Sequence, residues 1–284
     1  MGKALYEQFS AAQQVFSEAE EALGFSLSRL CFSGPESDLN LTENTQPAIL
    51  TASVAALRVL ESETPSRPDF VAGHSLGEYS ALVCVGALAF QDAVKVVRER
   101  GRLMQQAVSL GEGSMAVVLG LEMDAVRSLC EETSAAEVVA PANYNGGGQV
   151  VIAGGKNAVA RAMLLAKERG AKKVLELPVS APFHCELMRP AVKVHPFSIG
   201  VVTNVEAEVN LDPARVKSLL TEQAVRPVRW EESVRKLGQL GCLQVWEIGP
   251  GKVLKGLIKR IDPGLQTDNI ETPQDLAKVG GGRA

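Results

Sequence analysis

Apolar positions in the first part of the chain recur at helical spacing. Leu5, Phe9, Val15, Phe16 and Leu23 drift around one face and predict an opening helix. Ile49, Leu50, Val54 and Leu57 predict a second, starting after Gln46-Pro47. Asp69-Phe70-Val71-Ala72-Gly73 is short and apolar, which suits a buried strand, and it runs directly into a charge-free helical stretch over 76–85. Farther on, Ala93, Val96, Val97, Leu103, Met104 and Ala107 line one stripe of another helix.

From about Ser114 the texture changes. The pattern predicts a strand over 115–121, a helix over 124–132, a strand over 137–144, a turn at Gly146-Gly147-Gly148, a strand over 149–153, a helix over 157–170 and a strand over 172–179. This βαββαβ order is that of a ferredoxin-like unit. It predicts a small domain at 111–181 inserted into a core made from 1–110 and 182–284. In that core a strand over 200–204, helices over 213–223 and 230–240, a strand over 243–248 and a helix over 253–261 follow one another. Such alternation predicts an α/β core with a mainly parallel, hydrolase-like sheet.

Composition narrows the class. The chain has 284 residues, of which 46% are hydrophobic and 22% charged, so it can bury a core and is not disordered. Its 29 Lys plus Arg against 33 Asp plus Glu leave a net charge of −4, which argues against nucleic acid or an anionic membrane as the main partner. Five Cys, an odd number with no C-x-x-C pair, suit reduced thiols rather than a disulfide framework or a zinc site. The most apolar charge-free stretch, 79–91, is shorter than the roughly 20 residues a bilayer crossing needs. The first residues carry neither a signal-peptide core nor a myristoylation site. A soluble cytoplasmic monomer is expected, without metal or other cofactor.

The sharpest chemical signal is Gly73-His74-Ser75-Leu76-Gly77, a G-x-S-x-G sequence between a predicted strand and a predicted helix. Alone the motif is weak; that context is what a nucleophile elbow requires, with Gly on either side where the backbone packs too tightly for a Cβ. Ser75 would project from a tight turn, and the Leu76 N–H would face a developing oxyanion. The bland alternative is a Gly-rich turn with Ser75 as an N-cap.

Three histidines could serve as base. His74 adjoins the serine but leaves the turn in another direction, which suits support of the elbow. Nothing around His195 suggests a site. His184 lies in Val179-Ser180-Ala181-Pro182-Phe183-His184, a loop directly after a strand, and is favoured over the other two.

Arg100 falls at i+4 from Val96 and i+3 from Val97, inside the apolar stripe. A guanidinium there keeps its proton and needs an anion or several acceptors. On the residues alone a structural salt bridge to a buried carboxylate is the favoured reading; a clamp for a substrate carboxylate is the other. Gly249-Pro250-Gly251-Lys252 lacks the frame of a phosphate loop and reads as a tight turn. Asn143, Asn145 and Gln149 flank the Gly-rich hairpin, where they bond its backbone or line a cleft.

Taken together, Gly73-His74-Ser75-Leu76-Gly77-Glu78-Tyr79-Ser80-Ala81-Leu82, Arg98-Glu99-Arg100-Gly101, the loop 178–184 and Glu247-Ile248-Gly249-Pro250-Gly251 resemble the malonyl-CoA:acyl carrier protein transacylases of bacterial fatty-acid synthesis. The resemblance runs in order from Met1 to about Ile270. It implies ping-pong acyl transfer: Ser75 attacks malonyl-CoA, His184 acts as general base, and the malonyl group passes to the phosphopantetheine thiol of acyl carrier protein. It implies that a backbone carbonyl within Arg226-Pro227-Val228-Arg229-Trp230, placed at Arg229, orients the histidine in place of a triad Asp. It puts Arg100 at the malonyl carboxylate, reversing the structural preference. Leu76, His74, Asn143 and Phe183 join the substrate-binding set, and Phe183 before His184 resembles the malonyl-type rather than the methylmalonyl-type enzymes.

Two departures accompany it. Related enzymes begin with a buried strand and a Phe-Pro-Gly-Gln-Gly-Ser-Gln turn whose first Gln supplies a second oxyanion donor; here Met1-Gly2-Lys3 matches residues beyond that turn. Removing one such donor typically costs ~10²–10³ in kcat, and an unpaired sheet edge is expected. Met188-Arg189-Pro190-Ala191 also passes to Val194-His195-Pro196-Phe197 without the family's intervening helix. Two other functions stand beside the transacylase: an acyl hydrolase on the same elbow, and an N-terminally truncated, inactive form that folds poorly or only binds the carrier protein.

Overall fold

The computed structural model describes residues 1–106, 113–134, 137–177 and 193–280. Its elements in chain order are α1 (Lys3–Gln8), α2 (Ser10–Leu23), α3 (Leu27–Ser33), α4 (Glu36–Leu39), α5 (Thr42–Glu63), β1 (Phe70–Ala72), α6 (Leu76–Cys84), α7 (Phe90–Gln106), β2 (Gly113–Leu119), α8 (Met123–Thr133), β3 (Val139–Tyr144), β4 (Gln149–Gly155), α9 (Lys156–Glu168), β5 (Lys173–Leu177), β6 (Gly200–Val202), β7 (Val209–Asn210), α10 (Pro213–Gln223), α11 (Trp230–Gln239), β8 (Gln244–Ile248), α12 (Val253–Ile261), β9 (Gln266–Ile270), and α13 (Ala277–Gly280) after a 3₁₀ turn.

The opening amphipathic pattern is divided in two. Phe9 takes an extended conformation between α1 and α2. Helix α5 begins at Thr42, several residues before the predicted start, and carries Pro47 inside it. Proline removes one helical N–H there, and the apolar length that follows overrides the break: Ala48, Leu50, Val54, Ala55 and Val59 are all buried. They join Ala12, Val15 and Phe16 of α2 and Val94 and Val97 of α7 in the main core.

The strands form an α/β structure with mixed and antiparallel sheets. β1 pairs parallel with β6, and β6 pairs antiparallel with β7. β8 pairs parallel with β9 as a separate ribbon. Among the described residues the core strands thus form two short sheets, one mixed and one parallel. The chain reverses after β6 in a tight turn, closed by Thr203 N–H to the Glu208 carbonyl at 3.1 Å with Ala207 at φ 56°, so β7 returns antiparallel. Among the described residues β1 and β8 each pair on one edge only, and β1 is half-buried throughout.

Between β2 and β5 the order is strand–helix–strand–strand–helix–strand. The four strands form an antiparallel sheet in the order β3-β4-β2-β5. Alternation is clean: Ala116, Val118, Val150 and Ile152 face α8 and α9, while Met115, Val151 and Ala153 pack on the opposite side. This sheet is tied to the rest through Pro227-Val228. Val228 N–H donates to the Ala142 carbonyl at 3.0 Å, and Tyr144 N–H to the Val228 carbonyl at 2.9 Å. No helix among the described residues is long and apolar enough to cross a membrane.

Candidate active site

β1 delivers the chain into a sharp turn from which α6 departs, and Ser75 sits at that turn. Its backbone is at φ 51°, ψ −104°, a conformation that L-residues avoid and that costs of order 1–3 kcal/mol. The turn closes because Gly73 has no side chain: a Cβ there would lie 2.0 Å from the Gly77 carbonyl carbon and oxygen. Gly77 itself is different. Among the described residues a Cβ on it would meet nothing within 4 Å, so within that set only the first motif glycine is required by close approach.

The strained turn is held by residues from far along the chain. Asn204, buried just after β6, accepts the Ser75 N–H on Oδ1 at 2.7 Å and donates from Nδ2 to the Gly73 carbonyl at 2.6 Å. Gln223, at the end of α10, donates from Nε2 to the Ser75 carbonyl at 2.9 Å. Both are absent from the site set drawn from sequence. A local signal existed for Gln223: it continues the buried stripe of Val216, Leu219 and Leu220, the kind of polar intrusion that singles out Arg100. Asn204 had none, being an unremarkable polar residue after a short apolar strand.

Ser75 stands at the N-cap position of α6 yet makes no side-chain capping bond. Its Oγ instead accepts from Arg100 Nη2 at 3.0 Å, which disfavours the N-cap alternative. Leu76 is the first residue of α6, where a backbone N–H has no intrahelical acceptor.

Arg100 is 4% exposed. Its Nη1 donates to Gln46 Oε1 at 2.7 Å and its Nη2 also to Gln223 Oε1 at 3.3 Å, while Nε is buried without a partner among the described residues. The guanidinium carbon lies 5.6 Å from the centroid of the Tyr79 ring. No carboxylate among the described residues forms an ion pair with it, so within that set the salt-bridge reading of this arginine finds no partner. The nearby acid is Glu78, buried one residue removed. Burial pushes its carboxyl up to about 7, against the opposing influence of Gln223, Asn204 and Arg100.

His74 points away from the serine. Its Nε2 lies 2.9 Å from Asn145 Oδ1 and its ring packs at 5.5 Å against Trp230. Burial lowers its pKa, favouring the neutral imidazole. The Asn145 and Gln149 backbones also close the Gly146–Gly148 hairpin. Asn143 forms an isolated parallel bridge with Val228. The Arg229 carbonyl accepts from both the N–H and the Oγ of Ser233, each at 3.0 Å, as the N-cap of α11. His195 lies elsewhere, its N–H bonded to the Ala87 carbonyl. Phe183, His184 and the segment following Met188 up to residue 192 lie outside the described residues.

Two further expectations resolve structurally. At the start of α12 the Glu247 carboxylate accepts the N–H groups of Leu254 and Lys255 at 3.0 and 2.7 Å, occupying the place a phosphate would take. Cys31, Cys84 and Cys130 are free, and burial pushes their thiols up to about 11, 11 and 12, which leaves them unreactive. No cluster of three or more His, Cys, Asp or Glu among the described residues could hold a metal ion.

An α/β scaffold with a strand–serine–helix elbow and a guanidinium on its hydroxyl is of the acyl-transferring class, and the acyl transferase domain family matches residues 1–237. The chain is 46% identical over 287 residues to the malonyl CoA-acyl carrier protein transacylase of Bacillus subtilis, covering 97% of this chain and 90% of that one. A crystal structure of an acyl carrier protein S-malonyltransferase from Vibrio cholerae superposes with a TM-score of 0.93 at 46% identity, covering 98% of this chain and 94% of the other. A malonyl-transacylase in complex with a type II PKS acyl-carrier protein superposes equally well, at 42% identity over 98% of this chain and 93% of the other. The chain belongs to the malonyl CoA-acyl carrier protein transacylase family.

Proposed function

We propose that this acyltransferase moves the malonyl group from malonyl-CoA to the phosphopantetheine thiol of an acyl carrier protein by way of a malonyl-Ser75 intermediate. The observation that carries the site assignment is the hydrogen bond from buried Arg100 to the Ser75 hydroxyl oxygen. Because Arg100 donates to that oxygen, the hydroxyl hydrogen stays free for a base. His184 takes it, Ser75 Oγ bonds to the thioester carbonyl carbon, and coenzyme A leaves as the thiol after protonation by the same histidine. The carrier thiol then attacks the malonyl ester, and Ser75 recovers its proton.

Leu76 N–H is one donor to the oxyanion. Arg100, without a carboxylate partner among the described residues, pairs with the free malonyl carboxylate. His74 and Asn143 shape the cleft wall toward the β3–β4 hairpin, Phe183 borders the acyl group, and the Arg229 carbonyl orients His184. The architecture reads as an α/β-hydrolase-like core, 1–110 and 182–284, carrying a ferredoxin-like insert at 111–181. The chain works in the cytoplasm as a monomer without a cofactor.

The test is transfer to a purified holo acyl carrier protein, read as a malonyl-sized mass increase on the carrier. Parent protein should load the carrier from malonyl-CoA, and Arg100→Ala should lose malonyl transfer while keeping acetyl transfer. Equal loss of both would remove Arg100 from the clamp role, and hydrolysis without carrier loading would indicate the hydrolase instead.

A further inference from the structure

Arg100 needs acceptors to be held in the core, yet a carboxylate acceptor would cancel the charge that an anionic acyl group must find there. The structure meets both demands with amides. Gln46 Oε1 and Gln223 Oε1 accept from its two terminal nitrogens. Gln223 also has a second role at its other end, where Nε2 donates to the Ser75 carbonyl at 2.9 Å and to Glu78 Oε2 at 2.5 Å. An arginine only donates, whereas a carbonyl and a carboxylate only accept, so the amide of Gln223 has a single satisfied orientation. It stands as a neutral spacer between the buried acid and the buried base.

We infer that Gln223 is a specificity-determining positioning residue: it holds Arg100 beside Ser75 without neutralising it, and Glu78 anchors its amide in that orientation. The groups facing Glu78 are Gln223 from α10, the Asn204 N–H at 3.4 Å after β6, and Arg100 from α7, whose charge reaches it through the Gln223 amide. Thr203, Asn210, Val216, Leu219 and Leu220 complete the enclosure. Without the spacer, Arg100 and Glu78 would have no neutral group between them to keep the arginine's charge available to substrate.

The inference rests on the reading of Arg100 as the malonyl clamp, so Arg100→Ala is the control. Gln223→Glu puts a carboxylate of equal size against the guanidinium. The expected result is a malonyl-to-acetyl ratio of kcat/KM lowered ~10-fold or more, mainly through a higher malonyl-CoA KM; tenfold corresponds to about 1.4 kcal/mol. Gln223→Met keeps the length and adds no charge; it also drops the bond to the Ser75 carbonyl, so kcat should fall alike for malonyl and acetyl transfer, while KM should rise for malonyl-CoA alone, by a smaller factor than in Gln223→Glu. Folded Gln223→Glu with an unchanged ratio, or Gln223→Met with an unchanged malonyl KM where Gln223→Glu does not fold, overturns the inference. If Arg100→Ala itself lowers malonyl and acetyl transfer equally, the clamp reading has failed first.

Discussion

At Ser75 the backbone is forced to a positive φ so that a hydroxyl, a helix N-terminus and a buried guanidinium converge within one turn. Gly73 is what makes the turn geometrically possible, and the two glycines of the motif should therefore behave differently. Gly73→Ala drives a Cβ into Gly77 backbone at 2.0 Å, an overpacking expected to destabilise by ~3 kcal/mol. Gly77→Ala meets no described residue within 4 Å and should be neutral or stabilising by up to ~1 kcal/mol, as alanine is the better helix former. Thermal unfolding of the two variants checks this; equal loss would mean that the motif spacing, not the close approach, sets the requirement. The residue scale is also where sequence reading reached furthest and then stopped. Arg100 was legible because its charge interrupts an apolar stripe. Glu78 and Gln223 carry the same kind of signal, each buried on a helix that is otherwise apolar at that face, whereas Gln46 shares the buried side of its helix with Thr51 and Ser53. Asn204 acts across 129 residues of chain on the Ser75 N–H, a contact no local pattern encodes.

Among the elements, α5 and α7 matter most, since they carry Gln46 and Arg100. They approach closely because Gly101, next to Arg100, has no side chain: a Cβ there would lie 2.4 Å from the Thr42 carbonyl oxygen. Gly101→Ala should separate the helices, destabilise the fold by ~1–3 kcal/mol and raise malonyl-CoA KM while carrier affinity is unchanged. A variant with parent melting temperature and parent KM would contradict the close-contact account. The helices around the elbow and the strands of the small sheet follow directly from hydrophobic spacing. The pairing of the core strands does not, because β1 and β6 are apolar runs of three residues and β8 is only five residues long, and such short runs carry no information about neighbour or direction. β7, only two residues long, and β9, with its polar Gln266-Thr267-Asp268-Asn269, escape hydrophobic patterning altogether. Pro47 shows the opposite failure: a strong local breaker is overridden by the burial of a helix 22 residues long.

Over the whole molecule the site lies where three bodies meet: the helical layer with α5 and α7, the β1–α6 turn, and the small antiparallel sheet. His74 joins the last two through Asn145, and the ring of Trp230 fills the joint. Asn204 and Gln223 add the third connection from the C-terminal half. That assembly sets a serine hydroxyl beside a guanidinium that, among the described residues, has no carboxylate partner, which is the arrangement the proposed malonyl-serine intermediate uses. The most direct measurement is the intact mass of the purified chain after incubation with malonyl-CoA, beside Ser75→Ala. A malonyl-sized increase on the parent and none on Ser75→Ala is the expected result. A folded parent that gains no mass, or a Ser75→Ala chain that gains the same mass, would contradict Ser75 as the acyl-bearing residue.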